Sequence, residues 1–178
     1  KSGWFNEQLI STLALFEVKQ DNTAEYAGFA NGQSRYLGVD ARSRGFELDV
    51  AGQISANWGL SGGYTKLSLK GEHDQDVRLY VPRQTLRLTT AYRLASMPAL
   101  KLGASIKWQS EFSDASGSVE QGSYTRLDLM ARYAISDNLQ LTANLENLTD
   151  EQYLNSLMWA QGYYGAPRHG SLNLTWSY

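Results

Sequence analysis

The residues of this chain that could carry chemistry are few, and the most suggestive group is one acidic stretch. Glu72, His73, Asp74 and Asp76 lie within five positions, and oxygen ligands of this type suit a hard divalent cation. The stretch lacks the glycine spacing that shapes an EF-hand loop, so a solvated acidic loop is the favoured interpretation. His169, the second histidine, is interpreted as a rim or packing residue. The sequence therefore predicts no metal site.

Catalytic motifs are also missing from the sequence. It contains no H-E-x-x-H motif and no P-loop. Glu47 and Asp49 are two residues apart, so they share one face of a strand and a hydrolase pair can be drawn. A polar interior in which arginines balance the carboxylates explains them better. We expect the chain to be no enzyme and to hold no cofactor.

Aromatic side chains between the predicted strands are the best candidates for ligand contact. Such rings offer contact area at small entropy cost, and tyrosine and arginine add hydrogen bonds. Ordinary packing is the alternative for any single ring. The predicted ligand-binding residues are Tyr26, Tyr36, Arg44, Trp159, Tyr163 and Tyr164.

These candidates must be positioned by strands, because hydropathy alternates with a period of two. The last nine residues show it most clearly, since small polar residues separate each apolar one. The apolar positions are Gly170, Leu172, Leu174, Trp176 and Tyr178. This pattern predicts a strand with one lipid-facing and one wet face. Its aromatic end resembles the signal that the outer-membrane insertion machinery reads on bacterial β-barrels.

Eight strands follow from this pattern. They are predicted at about 9–21, 43–55, 58–69, 83–94, 100–109, 124–135, 139–147 and 168–178. Lengths near ten residues suit tilted strands that cross a bilayer and exceed those usual in β-sandwiches. Short turns are predicted at 6–8, 55–57, 95–99 and 136–138, and long loops at 22–42, 70–82, 110–123 and 148–167. Short turns on one side and long loops on the other are typical of outer-membrane barrels.

Two strands break the alternation. One face of the first predicted strand is apolar and consists of Ile10, Thr12, Ala14, Phe16 and Val18. The opposite face holds Leu13 and Leu15 beside Glu17, Lys19 and Asp21, so the polarity of that face stays open. In the third, the phase changes at Lys66 and Leu67, which indicates a bulge or the lipid boundary.

Trp4 and Phe5 resemble the end of a strand that begins before Lys1, which favours a piece of a larger barrel.

Charged and aromatic residues follow the same geometry. The interior cations are predicted to be Arg87, Arg93, Arg126 and Arg132, paired with a plug or with Glu47, Asp49, Asp128 and Glu146. Two aromatic belts are expected, with Trp58, Tyr133, Trp176 and Tyr178 near the short turns and Tyr64, Trp108 and Tyr124 near the long loops. A net charge of -2 leaves no basic footprint for nucleic acid. A mean hydropathy of -0.42 suits a barrel whose inward positions are polar.

The carboxyl-terminal motifs carry a family resemblance. Asn144-Leu145-Glu146-Asn147-Leu148-Thr149-Asp150-Glu151-Gln152-Tyr153 is followed by a variable loop and then Tyr164-Gly165-Ala166-Pro167-Arg168. This order is similar to the N-x-x-N-L-x-D-x-x-Y and Y-G-x-P-R pattern of TonB-dependent siderophore receptors, particularly the ferric hydroxamate and pyoverdine type. Upstream, Ser43-Arg44-Gly45-Phe46-Glu47 resembles the S-x-G-x-E strand opening of that family.

The resemblance implies an all-β fold, an antiparallel transmembrane barrel of 22 strands filled by an amino-terminal plug. About eight meandering strands lie here, so residues 1–178 are expected to be the carboxyl-terminal part of the barrel, without the plug. It also implies a bacterial outer-membrane location and a ferric siderophore as ligand, with iron arriving inside it. The implied partners are outer-membrane lipid, lipopolysaccharide, the barrel assembly machinery, and the plug and TonB of the full-length protein.

Two alternatives remain open at this point. The first is a complete eight-stranded outer-membrane barrel with a structural or adhesive role. The second is a soluble ligand-binding β-barrel or sandwich.

Overall fold

One antiparallel sheet of nine strands, each paired with the next strand of that sheet along the chain, dominates the computed structural model. Residues 2–4, 8–158 and 162–178 are described. The strands are β1 (Ser2–Trp4), β2 (Leu9–Ala30), β3 (Gln33–Ser55), β4 (Trp58–Lys70), β5 (Gln84–Arg93), β6 (Leu100–Gln109), β7 (Phe112–Ser113), β8 (Glu120–Gln121), β9 (Tyr124–Ala134), β10 (Leu139–Glu146), β11 (Leu154–Ser156), β12 (Tyr163–Tyr164) and β13 (His169–Trp176). β7 pairs with β8 and β11 with β12 outside the main sheet. The predicted antiparallel meander is confirmed.

Segment 22–42 was predicted as a loop, and that prediction is wrong. β2 and β3 run 22 and 23 residues and continue as one hairpin to a turn at Asn31 and Gly32. At roughly 3.3 Å per residue each strand is about 70 Å long, more than twice the hydrocarbon thickness of about 30 Å. The ladder therefore continues far beyond the membrane. Both faces meet water there, so the alternation that marks a lipid-crossing strand disappears although the strand does not.

The register divides the sheet into an apolar and a polar face. Directly paired residues share a face, and one cross-strand row joins Leu13, Leu48, Tyr64, Leu86 and Trp108. Leu88, Ile106, Leu129 and Leu174 fall on the same face. Ile106, Leu129 and Leu174 are 37%, 38% and 65% exposed, and Leu88 is half-buried. The face that carries the aliphatic side chains is thus an outer surface and not an interior core, as predicted.

In β2, the face that joins the apolar face of the sheet is the opposite of the one that the composition of this strand favours. Leu13 pairs with Leu48 and Leu15 with Phe46, so both lie on the apolar face, where they are 60% and 80% exposed. The even positions Ile10, Thr12, Ala14, Phe16 and Val18 therefore lie on the polar face. Pairing with an apolar neighbour strand, rather than the number of apolar residues per face, decides the orientation.

The phase change in β4 is not a bulge. Pairing with β3 continues without a shift through Lys66 and Leu67. Lys66 keeps the parity of Tyr64, whose hydroxyl donates to Gln84 at 2.6 Å. Polar side chains thus replace apolar ones on an unbroken strand, which marks the upper edge of the apolar band.

The sheet is open at both edges among the described residues. β1 pairs only with β2, and β13 only with β10. The described residues therefore do not form the closed eight-stranded barrel of the first alternative. Trp4 lies in β1, as its predicted place in a strand required; Phe5 lies outside the described residues. In the described part of the chain, no helix is long and apolar enough to traverse a bilayer.

Candidate functional site

Three cations on neighbouring strands form the centre of the candidate site. Arg87 on β5, Lys107 on β6 and Arg126 on β9 lie in one cross-strand row of the polar face, near the long-loop ends of these strands. A cavity of about 170 Å³ opens beside them and is also lined by Tyr124 and Tyr153. Alternation places each cation on the inward face of its strand, and the register of the strands aligns the three in one row.

Two carboxylates compensate part of this positive charge. Asp128 lies 3.3 Å from the Lys107 Nζ and 3.1 Å from the Arg126 Nε. Arg126 also lies 3.9 Å from Glu146. Arg87 forms no ion pair with any described residue. Three cations against two carboxylates leave the site an excess of positive charge, which suits an anionic or oxygen-rich ligand.

A tyrosine stack forms one wall of the cavity. The rings of Tyr124 and Tyr153 lie 4.4 Å apart with an interplanar angle of 23°, and the Tyr153 hydroxyl accepts a hydrogen bond of 3.1 Å from Arg126. Tyr153 is buried. Tyr124 was predicted to belong to the membrane belt and instead lies on the polar face, since it pairs with Gln109. The stack gives the site a rigid aromatic surface beside its cations.

Asn147 holds the segment that carries Tyr153. It is 1% exposed and has a positive φ of 53°. Its Nδ2 donates to the carbonyls of Glu151 and Ala166 at 2.9 and 3.0 Å, and its Oδ1 accepts from the Glu151 amide at 2.9 Å. Its own amide donates to Asp128 at 3.0 Å. The second asparagine of the sequence motif thus ties the loop to the same carboxylate that balances the cations.

The predicted aromatic residues lie on two different hairpins. Tyr26 and Tyr36 face each other across β2 and β3, with ring centroids 6.0 Å apart in an edge-to-face arrangement. Tyr163 and Tyr164 form β12 and are exposed. Trp159 lies outside the described residues. Their contact with a ligand stays a prediction.

Arg44 lies on the apolar-face parity, away from the cavity. It is directly paired with Glu17, and its Nε lies 3.1 Å from the Glu17 Oε2. Its contact with a siderophore also stays a prediction.

Sequence reasoning missed Arg78, which joins two of the long segments. Its Nε lies 2.6 Å from the Glu25 Oε1 and its Nη1 donates to the Gln20 Oε1 at 2.6 Å. Residues more than 50 positions apart in sequence carry no local signal of such a contact. The cation row could have been predicted from the sequence, because Arg87, Lys107 and Arg126 lie on the same face of neighbouring predicted strands.

The predicted interior ion pairs are confirmed only for Arg126 with Asp128 and Glu146. Arg93 and Arg132 form no ion pair with the described residues. The same holds for Glu47 and Asp49, which do share the polar face.

Among the described residues, neither histidine belongs to a cluster that could hold a metal ion. Within the described ranges, no group of three His, Cys, Asp or Glu side chains is placed to hold a metal ion. The His73 amide donates to Gln75 inside its own turn. His169 lies 3.7 Å from Glu146 at the end of β13, a rim position as predicted.

The predicted assembly signal lies on the apolar face of β13, with Tyr178 two residues beyond the end of that strand. Leu174 pairs with Leu141 and Trp176 with Leu139, and the Trp176 and Tyr178 rings lie 5.6 Å apart. Recognition of these residues by an assembly machinery stays a prediction.

Comparison with known proteins gives one consistent family. Residues 1–148 match the family described as TonB dependent receptor-like, beta-barrel. The ferric-pyoverdine BN7/BN8 receptor of Pseudomonas putida is 31% identical to this chain, in an alignment that covers 100% of this chain and 22% of that receptor. Among solved structures, the outer-membrane ferripyoverdine receptor of Pseudomonas aeruginosa bound to ferripyoverdine superposes with a TM-score of 0.82 at 26% identity, covering 98% of this chain and 25% of that one.

A second solved structure agrees. The siderophore receptor PiuA of Acinetobacter baumannii gives a TM-score of 0.79 at 26% identity, covering 98% of this chain and 27% of that receptor. The chain spans about a quarter of the length of the relatives that it matches.

Proposed function

This chain belongs to the TonB-dependent receptor β-barrel family of the bacterial outer membrane, and from that premise we propose that it supplies part of the wall and the ligand-facing segments of a ferric-siderophore importer. Its family and its exposed apolar face are incompatible with the soluble alternative. The open edges of β1 and β13 would be completed by the other strands of a larger barrel, because unpaired backbone groups in hydrocarbon cost several kcal/mol each.

The observation that carries this proposal is the row of Arg87, Lys107 and Arg126 beside the Tyr124–Tyr153 stack. A ferric siderophore is a bulky, partly apolar complex with exposed oxygen atoms. Cations complement the oxygens, and aromatic rings provide area for the apolar part. Relatives named as receptors for ferric pyoverdines support a siderophore as the ligand class.

The remaining roles follow from that proposal. Iron is cargo that arrives within the siderophore, so the barrel needs no resident cofactor and performs no catalysis. A plug domain and TonB in the full-length protein would supply gating and energy. Tyr26, Tyr36, Tyr163 and Tyr164 are proposed to line the outer approach to the cavity.

Growth under iron starvation tests the transport assignment. A strain without its own receptor is complemented with the full-length gene that carries this chain, and a panel of ferric siderophores is supplied as sole iron source. We expect at least one siderophore to restore growth. If none does, the transport assignment is wrong.

A matched pair of variants then tests the cavity. Arg87→Gln with Lys107→Gln removes two charges from the site, and we expect ferric-siderophore binding to weaken by roughly 100-fold or more, since hydrogen bonds to charged groups contribute about 1.5–3 kcal/mol each. The control, Arg93→Gln with Lys101→Gln, removes two charges from the same two strands and the same face, six residues nearer the short turns. Equal losses in both variants would contradict the site.

A further inference from the structure

The side chain of Gln121 connects the cation site to the outer segments of the chain. Gln121 lies on β8, and its Oε1 accepts a hydrogen bond of 2.7 Å from the Leu154 amide. Leu154 directly follows Tyr153, which lines the cavity and accepts a hydrogen bond from Arg126. Among the described residues, no other hydrogen bond joins segment 110–123 to the segment that carries Tyr153.

On its other side, the hairpin of β7 and β8 is fixed to segment 71–83. The Ser113 amide of β7 donates to the Leu79 carbonyl at 3.1 Å. The hydroxyl of Ser110, which is 4% exposed, accepts from the Arg83 amide at 3.1 Å. Two hydrogen bonds thus connect the hairpin to that segment, one of them at a buried side chain.

The segment that carries Arg83 is stiffened from within and reaches the outer part of the β2–β3 hairpin. The Arg83 guanidinium donates to the carbonyls of Val77 and Val81 at 2.6 and 3.4 Å. Arg78 donates to Glu25 of β2 at 2.6 Å. The backbone of Arg78 has a positive φ of 52°, an unfavourable conformation for so large a residue, so contacts of this kind are needed to hold it.

We propose that Gln121 couples the cation site to these outer segments, so that a ferric siderophore bound at the site also suppresses local opening of segment 71–83. The inference rests on the proposed function, which supplies the ligand. A siderophore that contacts Tyr153 restrains the segment that continues into Leu154, and the Leu154 amide is the donor that Gln121 holds. The restraint therefore passes to β8 and from there to segment 71–83.

Coupling of this kind acts in both directions. Outer segments that are already ordered lower the conformational entropy that binding costs. Loosening them should therefore weaken siderophore binding, although Arg78 does not line the cavity. Such an effect at a distance distinguishes coupling from a purely local role of Gln121.

Calorimetric titration of the full-length protein with the ferric siderophore that restores growth tests this coupling. Arg78→Gln and Gln121→Ala should each lower the affinity about fivefold. The double variant should lose no more than either single variant, because both substitutions interrupt the same connection. Independent effects would instead multiply to about 25-fold.

Two controls separate coupling from the mere loss of a hydrogen bond. Gln75→Ala removes a matching bond, in which the Gln75 Oε1 accepts from the His73 amide at 2.9 Å inside one turn, and should leave the affinity unchanged. Gln121→Glu keeps an acceptor oxygen in the same place and should retain the affinity of the unmodified protein.

Hydrogen exchange without any siderophore tests the same connection independently of transport. Asn147→Ala releases the segment that carries Leu154, and we expect the amides of 112–121 to exchange roughly tenfold faster as a result. Gln121→Ala should accelerate them equally, and combining the two substitutions should add nothing.

Three outcomes would overturn the proposal. They are unchanged exchange across 112–121 in Asn147→Ala, an affinity loss of about 25-fold in the double variant, and equal losses in Gln75→Ala and Gln121→Ala. If no siderophore restores growth, the transport assignment fails, whereas the exchange measurement still decides the coupling.

Discussion

Two long segments on the same side of the sheet are ordered in opposite ways. The hairpin extension, residues 22–42, continues the backbone ladder of β2 and β3 with mostly exposed side chains. The segments 147–158 and 162–168 are mostly irregular and depend on a few buried side chains, those of Asn147, Tyr153 and Leu157, of which Asn147 ties the two segments together. Order in the extension is therefore distributed over many equivalent hydrogen bonds, whereas order in the irregular segments is concentrated at a few buried residues.

This difference has a thermodynamic consequence. Exposed ladder bonds open locally at low free energy, and loss of one side chain changes that opening little. A buried polar group without its partner instead costs its full desolvation penalty. Single substitutions should thus be mild in the extension and severe at the anchor of the segment.

The largest expected effect is that of Asn147→Ala. It removes three hydrogen bonds that the buried side chain makes with backbone groups of Glu151 and Ala166. At about 1 kcal/mol for each hydrogen bond, we expect the segment to lose roughly 3 kcal/mol of local stability. Amide hydrogen exchange across 150–157 should accelerate by at least 100-fold.

Asn144→Ala provides the matched control for that substitution. Its side chain makes one hydrogen bond, to Ser171 at 3.2 Å. We expect a cost of no more than about 1 kcal/mol. If both variants exchange at the same rate, Asn147 is not the anchor.

The next effect in size is that of Arg78→Gln, which removes the tie between segment 71–83 and the extension. Its ion pair with Glu25 is partly buried, with side-chain exposures of 18% and 28%, and we expect a loss of about 1–2 kcal/mol. Faster hydrogen exchange should appear in 71–83 and near Glu25, while the turn at 31–32 stays paired. A Glu25→Gln partner variant completes a double-mutant cycle, and a coupling energy near zero would contradict the tie.

A smaller effect is expected for Tyr153→Phe. The substitution keeps the stack on Tyr124 and removes only the hydroxyl that accepts from Arg126. We expect a cost of about 1 kcal/mol and a ferric-siderophore affinity lower by about fivefold. Tyr153→Ala, which also removes the stack, should weaken binding further. Calorimetric titration of the full-length variants compares the two, and an equal loss in both would assign the whole effect to the hydroxyl.

Segment 110–123 contains a hydrogen-bonded carboxylate, that of Asp114, and therefore offers a pH-dependent test. Asp114 accepts hydrogen bonds from the Ser116 hydroxyl at 2.5 Å and from the Val119 and Ser118 amides at 3.0 and 2.7 Å. These bonds lower the pKa of the Asp114 carboxyl below its ordinary value of 3.8. A lowered folded-state pKa gives a stabilisation that is complete above the ordinary pKa and is lost as the pH falls through the folded value.

Hydrogen exchange checks this expectation. The Ser118 and Val119 amides, corrected for intrinsic exchange, should lose protection as the pH falls below 3.8. Asp114→Asn should exchange rapidly with no such transition. Equal protection of the unmodified protein and of Asp114→Asn above pH 4 would contradict it.

The sequence was informative wherever lipid contacts one face of a strand. Alternation located β5, β6, β9, β10 and β13 to within two residues, since hydrocarbon on one side imposes a period of two. It failed at 22–42, where water contacts both faces, and in the first crossing strand, where Leu13 and Leu15 are oriented by Leu48 and Phe46 of the partner strand. The aromatic residues were predicted as a set, but Asn147 and Arg78 act through contacts that local pattern does not encode.

The central claim is that alternate positions along each of these strands meet hydrocarbon and water, and spin labelling tests it most directly. The chain contains no cysteine, so single labels can be placed at Leu13, Thr12, Ile106 and Lys107 of the full-length protein in lipid bilayers. We expect labels at Leu13 and Ile106 to collide mainly with dissolved oxygen and labels at Thr12 and Lys107 mainly with a water-soluble nickel chelate. Equal accessibility at neighbouring positions, or the reverse preference, would contradict the account.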